Sequence, residues 1–445
     1  MRAPSIARLA GAACLALLLV GCPGPVPVTP ETPLPTPRPL PTPPLIPTPP
    51  PPPYVPAKRL EVGKIFNGMQ YRVTLETEFG TTATAERNDP ASYSAELVVK
   101  VKVPKPHKSL DEISQLNPRL PELLPGLDTM MEKARISAFF DDLYRLKCNA
   151  LQASLNRLDT LLTRHNFYDC ETVLELEHPQ TKRRVLFIQA DMDVDTDGSD
   201  VDRVSEVEGA SSTFQPFTSY RWPKKTDKVS PLIAFRETKI KQLQEELATN
   251  SQAARRTEIR AAITDAKNEI ADLKSFSFLI GNADPFIVLP SSMFGSARGA
   301  FAPSVGDYCV IIHEGTLYPA IVGDVGPRIK MGEAALRICK QILPRANGGN
   351  RAVNDLKVTY LVFPGTAKRP FDVPDLEKWR AQCAKLIDEI GGHQGELFVW
   401  EDITKPKPPP ATLAPATPVP TVAPPAPATP NPATPPLATP APAAP

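Results

Sequence analysis

Proline is concentrated at the two ends of this chain and confines folding to its middle. The chain has 445 residues and 55 prolines, and prolines mixed with threonine or alanine dominate 23–56 and 405–445. Proline has no backbone N–H to donate to a helix or a sheet, so neither segment can build a core. We expect an extended, semi-rigid spacer over 22–56 and a disordered tail over 405–445. The folded part should therefore lie within 57–404.

A short apolar segment precedes the first proline-rich stretch. Arg2 and Arg8 are followed by apolar residues that end in Leu19-Val20-Gly21-Cys22. The segment is too short to cross a membrane and is typical of a bacterial lipoprotein signal peptide over 1–21. We expect cleavage before Cys22, lipidation of that cysteine, and a protein held by this lipid in the bacterial envelope, outside the cytoplasm.

Two acidic residues lie on a turn-rich segment between apolar runs. Asp324 follows a predicted strand over 317–322 and is flanked by Gly323 and Val325-Gly326-Pro327, whereas Glu333 follows Gly332 and precedes a helical pattern of apolar residues. The pattern predicts Asp324 at the mouth of a strand and Glu333 at the start of a helix. Two acids held near one another can act as general acid and general base. The alternative is a tight turn in which Glu333 only caps the helix.

Three further blocks accompany these two acids: Ala190–Gly198 (ADMDVDTDG), Asp284–Pro290 (DPFIVLP) and Val358–Gly365 (VTYLVFPG). In this order, the blocks resemble the fungal-type chitosanases of glycoside hydrolase family 75. The resemblance implies an inverting endo-hydrolase of chitosan, the β-1,4-linked glucosamine polymer. It also implies that Asp324 and Glu333 are the catalytic acids, and it leaves open which of them donates the proton.

Aspartate is unusually dense near the first of these blocks, at positions 191, 193, 195, 197, 200 and 202. So many negative charges need a positive partner. We expect Asp191 and Asp193 to shape an acidic subsite that attracts the ammonium groups of a glucosamine polymer. One alternative is a loose calcium site at Asp193, Asp195 and Asp197, although an EF-hand that starts at Asp193 would have Val204 in place of its glutamate. The other alternative is a solvated turn.

The remaining patterns predict a mainly β fold with helices. Alternating apolar and polar residues predict paired strands over 71–77 and 95–103. Apolar residues at helical spacing predict helices over 110–164. These strands and helices are expected to form an N-terminal region at 57–166. Short apolar strands within 167–404 predict a small β-barrel as the catalytic unit. Its strand–Gly-Asp-x-Gly-Pro–helix segment is similar to those of double-psi barrels. A charged helical hairpin over 236–274 is expected as an insertion that leaves the barrel intact, with partner binding or substrate gripping as alternatives.

Charge and cysteine content exclude some classes of function. The net charge of +1 gives no indication of nucleic-acid binding. The cysteines fit no zinc pattern, and no cofactor is expected. In an oxidising compartment, disulfides Cys148–Cys170 and Cys309–Cys339 are plausible, with Cys383 free. The competing hypothesis for function is a non-catalytic envelope lipoprotein that binds polysaccharide or has a structural role, and nothing in the sequence indicates the oligomeric state.

Overall fold

A computed structural model describes residues 81–89, 91, 98–204, 214–295, 299–349 and 351–405, all within the unit Leu60–Pro445. The predicted signal peptide, the lipidated Cys22, the spacer, the strand over 71–77 and nearly all of the tail lie outside these residues. Among the helices within them, none has the length and apolar character needed to cross a membrane.

The described chain contains both strands and helices. The strands are β1 (Arg135–Ile136), β2 (Cys170–Glu177), β3 (Arg184–Asp195), β4 (Arg221–Pro223), β5 (Phe276–Phe278), β6 (Phe286–Pro290), β7 (Tyr308–His313), β8 (Thr316–Gly326), β9 (Glu333–Ala335), β10 (Arg351–Val362) and β11 (Glu396–Leu397). The helices are α1 (Ala83–Asn88), α2 (Leu110–Leu116), α3 (Leu120–Leu123), α4 (Leu127–Met131), α5 (Ala138–Arg157), α6 (Arg164–Phe167), α7 (Pro231–Thr249), α8 (Ala253–Ser275), α9 (Leu336–Ile342) and α10 (Leu376–Asp388).

Six strands close into a barrel in the order β3, β10, β7, β8, β6 and β9, with β9 pairing back to β3. The pairs β6–β8 and β3–β9 are parallel, whereas the other pairs of the ring are antiparallel. Outside the ring, β2 pairs with β3 and β11 pairs with β8. The predicted small β-barrel with helices is confirmed, and its likeness to a double-psi barrel stays a prediction.

A tight hairpin sets the position of β8, the strand that carries Asp324. Only Glu314 and Gly315 separate β7 from β8, and both have positive φ angles, 48° and 96°. Two consecutive left-handed residues form the turn whose twist matches that of paired strands. The strand that follows is apolar and buried from Leu317 to Val322, so its position in the barrel is fixed before it reaches Asp324.

The helices before the barrel share its core. Ile113 of α2 and Phe140 and Tyr144 of α5 belong to the same buried cluster as Val310 of β7. The helical part of the predicted N-terminal region is therefore confirmed, but the strand predicted over 95–103 is wrong for its described residues, 98–103. These residues are mostly exposed, so their alternating pattern has no apolar surface to cover.

The predicted helical hairpin is confirmed and is formed by α7 and α8. It lies between β4 and β5, which pair with each other and not with the barrel. Its base has a small core of its own, made by Ile233, Leu273 and Phe278. Further along, Arg236 Nε donates to Glu269 Oε2 at 2.6 Å and ties the two helices together. The barrel is complete without this hairpin, as expected of an insertion.

The predicted disulfides are wrong. Cys148, Cys170, Cys309, Cys339 and Cys383 are all unpaired in the described part of the chain. Four of them are buried among apolar residues, with Cys148 partly exposed. Burial raises the pKa of the Cys170, Cys309 and Cys339 thiols, which keeps them protonated and unreactive.

Candidate active site

The two predicted catalytic acids lie on either side of one barrel strand. Val288 of β6 pairs with Asp324 of β8 on one side and with Glu333 of β9 on the other. Adjacent strands lie about 4.8 Å apart, so the backbones at Asp324 and Glu333 are roughly 9–10 Å apart. Glu333 pairs in turn with Asp193 of β3, which places a third carboxylate next in the same row.

Both acids project from the same face of the barrel. A Cβ atom built on Gly326 would lie 3.4 Å from Glu333 Oε2, so the side-chain direction of Gly326 leads towards the Glu333 carboxylate. Asp324 lies two residues before Gly326 on the same strand, and residues at this spacing project from the same face. Gly326 therefore leaves room for the Glu333 carboxylate on the face that Asp324 occupies.

The sequence predicts that Glu333 starts a helix, and this prediction is wrong. Glu333 instead starts the three-residue strand β9. The helix α9 starts three residues later, at Leu336. Pairing with both β3 and β6 holds β9 extended, and these partners are distant in sequence. The predicted strand position of Asp324 is confirmed, since it lies near the end of β8.

Hydrogen-bond donors fix the Asp324 carboxylate. Its Oδ1 atom accepts from the backbone N–H of Ser219 at 2.8 Å, the Ser219 hydroxyl at 2.6 Å and the backbone N–H of Val325 at 2.7 Å. Burial raises the pKa of Asp324 to about 6, and the charge of Glu333 adds to this effect while the hydrogen bonds oppose it. Asp324 thus has a fixed orientation and a pKa suited to proton transfer near neutral pH.

Two of the clustered aspartates lie next to Asp324. Carboxylate oxygens of Asp195, Asp197 and Asp324 all lie within 4.8 Å of one another. Burial raises the pKa of Asp195 well above its ordinary value and that of Asp197 to about 7, and the neighbouring carboxylates contribute in both cases. Carboxylates this close cannot all be ionised at low cost, so the group retains protons near neutral pH.

A lysine links Glu333 to Asp193. Lys330 Nζ donates to Glu333 Oε1 at 2.7 Å and lies 3.3 Å from Asp193 Oδ2. Burial raises the pKa of Glu333, and the charge and hydrogen bond of Lys330 oppose this increase. Glu333 keeps an exposed fraction of 14% in its side chain, which leaves the carboxylate within reach of a ligand.

Further partners neutralise Asp193 and Asp191. Arg351 Nε lies 2.8 Å from Asp193 Oδ1, and His165 Nε2 lies 2.6 Å from Asp191 Oδ2. Burial opposes a charge on His165, but its contacts with the carboxylates of Asp191 and Asp193 outweigh burial and raise its pKa to about 9. Asp191 has an exposed fraction of 0%, so its carboxylate is too deep for direct contact with a polymer. The substrate-binding role of Asp193 stays a prediction.

The calcium ligands predicted as Asp193, Asp195 and Asp197 do not form one group. Asp193 clusters with His165 and Asp191, whereas Asp195 and Asp197 cluster with Asp324. Asp193 moreover forms ion pairs with Arg351 and Lys330, and these two positive side chains neutralise it without a metal ion. The first three aspartates of the acidic segment lie on β3 and not in an EF-hand loop. The segment also carries its own positive partner in Arg203, which bonds Asp200 and Asp284.

Sequence reasoning missed the side chains that orient these acids. Ser219, Lys330, Arg351 and His165 come from four separate parts of the chain, and none of them belongs to a recognisable motif. Only the spacing of Lys330 three residues before Glu333 offers a local signal, and that spacing is common. The folded structure is needed to place Ser219 next to Asp324, which lies 105 positions further along the chain.

A closed barrel that presents two half-buried acids on one face, separated by one strand, has the arrangement of a hydrolase that uses paired carboxylates. Residues 192–398, a little less than half of the chain, match the family described as fungal chitosanase of glycosyl hydrolase group 75. Over this segment the chain is similar to that family of chitosanase-like glycoside hydrolases. The segment begins in β3 and ends just after β11, so it includes the catalytic candidates but not α1–α6. No curated protein matches the chain.

Proposed function

We propose that this protein is an inverting endo-hydrolase of chitosan in which Asp324 and Glu333 are the acid/base pair. The observation that carries the proposal is the placement of the two acids on one face, with a single strand between them. An inverting mechanism needs carboxyl groups roughly 6.5–9.5 Å apart, whereas a retaining one needs about 5 Å. One intervening strand suits the larger separation, which leaves room for a water molecule.

The chemistry follows from this separation. One carboxyl group protonates the glycosidic oxygen as the bond to the anomeric carbon breaks. The other removes a proton from a water molecule that attacks this carbon from the opposite face of the sugar. Water is consumed, one new reducing end forms, and the configuration at the anomeric carbon is inverted.

The charge around the site supports a cationic polymer as substrate. Among the described residues, Asp195, Asp197 and Asp324 have no basic side chain in ion-pair contact, whereas Asp193 and Glu333 have Lys330. This side of the site therefore has excess negative charge when its carboxyls ionise. Chitosan has one ammonium group per glucosamine, so this field attracts it and favours its binding.

The test is incubation of the purified mature protein with chitosan, followed by measurement of reducing ends and proton NMR of the first product. Formation of α-anomeric reducing ends from the β-linked polymer is expected. Retained β configuration would overturn the inverting mechanism. Binding of chitosan with no cleavage under any condition would instead support the competing hypothesis of a non-catalytic polysaccharide-binding lipoprotein.

We also propose that the enzyme is held in the bacterial envelope by a lipid on Cys22 and acts outside the cytoplasm. The support comes from the sequence Leu19-Val20-Gly21-Cys22 and from the proline-rich spacer that follows it. Such a composition is typical of a spacer between an anchor and a folded part, and an enzyme outside the cytoplasm has access to a polymer substrate that cannot enter the cell.

A further inference from the structure

Lys330 is the only basic side chain of the described residues that contacts either proposed catalytic acid. Its Nζ atom lies 2.7 Å from Glu333 Oε1, which is a charge-assisted hydrogen bond to one carboxylate oxygen. The second oxygen, Oε2, lies next to Gly326 on the face shared with Asp324. Lys330 thus donates a hydrogen bond to Oε1 of Glu333, whereas Oε2 lies on the side of the proposed site.

Lys330 itself is held on both sides. Its ammonium also contacts Asp193, which is fixed in turn by Arg351. The backbone N–H of the next residue, Met331, donates to Asp169 at 3.1 Å, and Gly332 beyond it has a φ of 73° that few residues other than glycine adopt. The backbone beside Lys330 is therefore fixed, and Asp193 gives its ammonium a second partner besides Glu333.

Asp324 is surrounded by negative side chains, whereas Glu333 has a positive neighbour in Lys330. Asp195 and Asp197 lie close to Asp324, with carboxylate oxygens within 4.8 Å. Negative neighbours favour the protonated carboxylic acid, whereas a lysine neighbour favours the carboxylate. The environment of Asp324 thus favours the protonated form that a general acid needs, whereas that of Glu333 favours the ionised form that a general base needs.

We propose that Lys330 is a positioning residue that keeps Glu333 ionised as the general base, which leaves Asp324 as the general acid. This inference rests on the proposed function and adds the roles within it. Asp324 donates its proton to the glycosidic oxygen as the bond to the anomeric carbon breaks. Glu333 Oε2 accepts a proton from the attacking water, and solvent then restores both protonation states.

The first test compares Lys330→Met, Lys330→Arg and Arg328→Met. Glu333 faces Lys330, Asp193 and Asp324, with Asp195 and Asp197 beyond them. Loss of Lys330 leaves Glu333 among negative neighbours only, so its pKa should rise further. The acidic limb of the pH profile of kcat/KM should then move to higher pH by about one unit.

In this test, kcat should fall by up to about tenfold at pH values on the acidic limb, with KM changed less. Arg keeps the charge, so Lys330→Arg should restore most of the acidic limb. Arg328 is exposed on the same turn, and Arg328→Met removes the same charge without touching the site. An acidic limb that stays in place in Lys330→Met, or an equal shift in Arg328→Met, would overturn the inference.

Azide distinguishes the two roles, because it attacks the anomeric carbon without needing a base to deprotonate it. Added azide should restore cleavage in Glu333→Ala and give a glycosyl azide. It should not restore Asp324→Ala, which has lost the proton donor. Rescue of Asp324→Ala alone would reverse the assignment.

A readout independent of activity separates this inference from the proposed function. The protein is labelled with ¹³C at its glutamate carboxyl groups, and the Glu333 signal is identified by its loss in Glu333→Gln. This signal should titrate at lower pH in the wild type than in Lys330→Met. Equal titration would refute the role of Lys330 whether or not chitosan is cleaved, whereas failure to cleave chitosan refutes the proposed function alone.

Discussion

At the residue scale, the site is defined by the partner that each carboxyl has. Asp324, Asp195 and Asp197 face one another, whereas Glu333 and Asp193 share Lys330. Burial raises the pKa of both proposed catalytic acids, and the lysine opposes this effect at Glu333. The two acids of the pair thus have similar chemistry in solution but different environments in the fold.

Loss of either proposed catalytic acid should remove most of the activity. We expect Asp324→Asn and Glu333→Gln each to lower kcat by about a hundredfold or more, because each removes one proton-transfer group. The double variant should be little worse than the poorer single variant, since the pair acts as a unit. Reducing ends released from chitosan give the rates.

Asp355→Asn is the matched control for these variants. Asp355 lies exposed on β10 and pairs only with nearby Lys357 among the described ion pairs, so its isosteric replacement should leave the rate unchanged. Unchanged circular dichroism and melting temperature in all variants would show that folding is intact. Near-normal cleavage by both site variants would mean that the pair is structural.

Sequence reasoning identified the two acids because each lies in a short block of characteristic residues. It did not identify Lys330 or Ser219, because their contacts depend on the fold. It placed Asp191 at a substrate subsite, where the structure shows a buried carboxylate bonded to His165. A strand that alternates between two faces brings Asp191, Asp193 and Asp195 to the same side, but the sequence does not show how deep each residue lies.

At the scale of elements, the barrel strands were predictable where they are long and apolar. β7 and most of β8 are continuous buried runs, and the predicted strand over 317–322 lies within β8, whereas β10 is continuously buried only over Val358–Val362. β9 was not predictable, because its three residues, Glu333-Ala334-Ala335, also suit a helix and only pairing with β3 and β6 makes them a strand. The short strand nevertheless closes the barrel and carries a proposed catalytic acid.

The outer part of the helical hairpin should be dispensable. Replacing 240–266 with a short Gly-Ser linker keeps the ion pair between Arg236 and Glu269 and the small core of Ile233 and Leu273. β4 and β5 would remain paired, so we expect the melting temperature of the barrel and kcat on chitosan to change little. A KM for chitosan raised severalfold at unchanged kcat would show instead that the hairpin grips the substrate.

At the scale of the whole molecule, the folded enzyme is one part of a longer arrangement. The proposed order is a lipid at Cys22, a proline-rich spacer, the barrel with its helices and a proline-rich tail. The described helices α2–α6 share the barrel core, although the family match begins only at residue 192. The packed N-terminal helices therefore lie outside the segment that matches the family.

Cys22→Ser should release the protein from membranes. The variant lacks the thiol that is proposed to accept the lipid. Fractionation of cells that express the wild type or the variant, followed by immunodetection, measures the partition. Cys148→Ser is the control, because it removes a partly exposed cysteine of the folded region. Equal membrane partition of wild type and Cys22→Ser would exclude the lipid anchor.

The acid cluster should make the protein more stable at mildly acidic pH than at alkaline pH. Asp197 and Asp324 have pKa values raised by burial to about 7 and about 6, from an ordinary value of 3.8. A group with a raised pKa binds its proton more tightly in the folded state, so folding is favoured at low pH and this stability is lost as pH rises through the raised pKa. His165, with its pKa raised to about 9, acts in the same direction.

Melting temperatures between pH 5 and pH 8 test this expectation, and Asp197→Asn isolates one contribution to it. The amide cannot ionise, and its Oδ1 atom can still accept the hydrogen bond that Gln215 N–H donates to Asp197 Oδ1 at 2.8 Å. The variant should therefore melt several degrees above the wild type at pH 8 and by a smaller margin at pH 5, where the wild-type carboxyl is protonated in the folded state but mostly ionised in the unfolded chain. Asp355→Asn should follow the wild type throughout, because its carboxylate is exposed. If Asp197→Asn instead melts below the wild type at pH 8, the ionised carboxylate stabilises the fold, and the aspartates next to Asp324 do not hold protons near neutral pH.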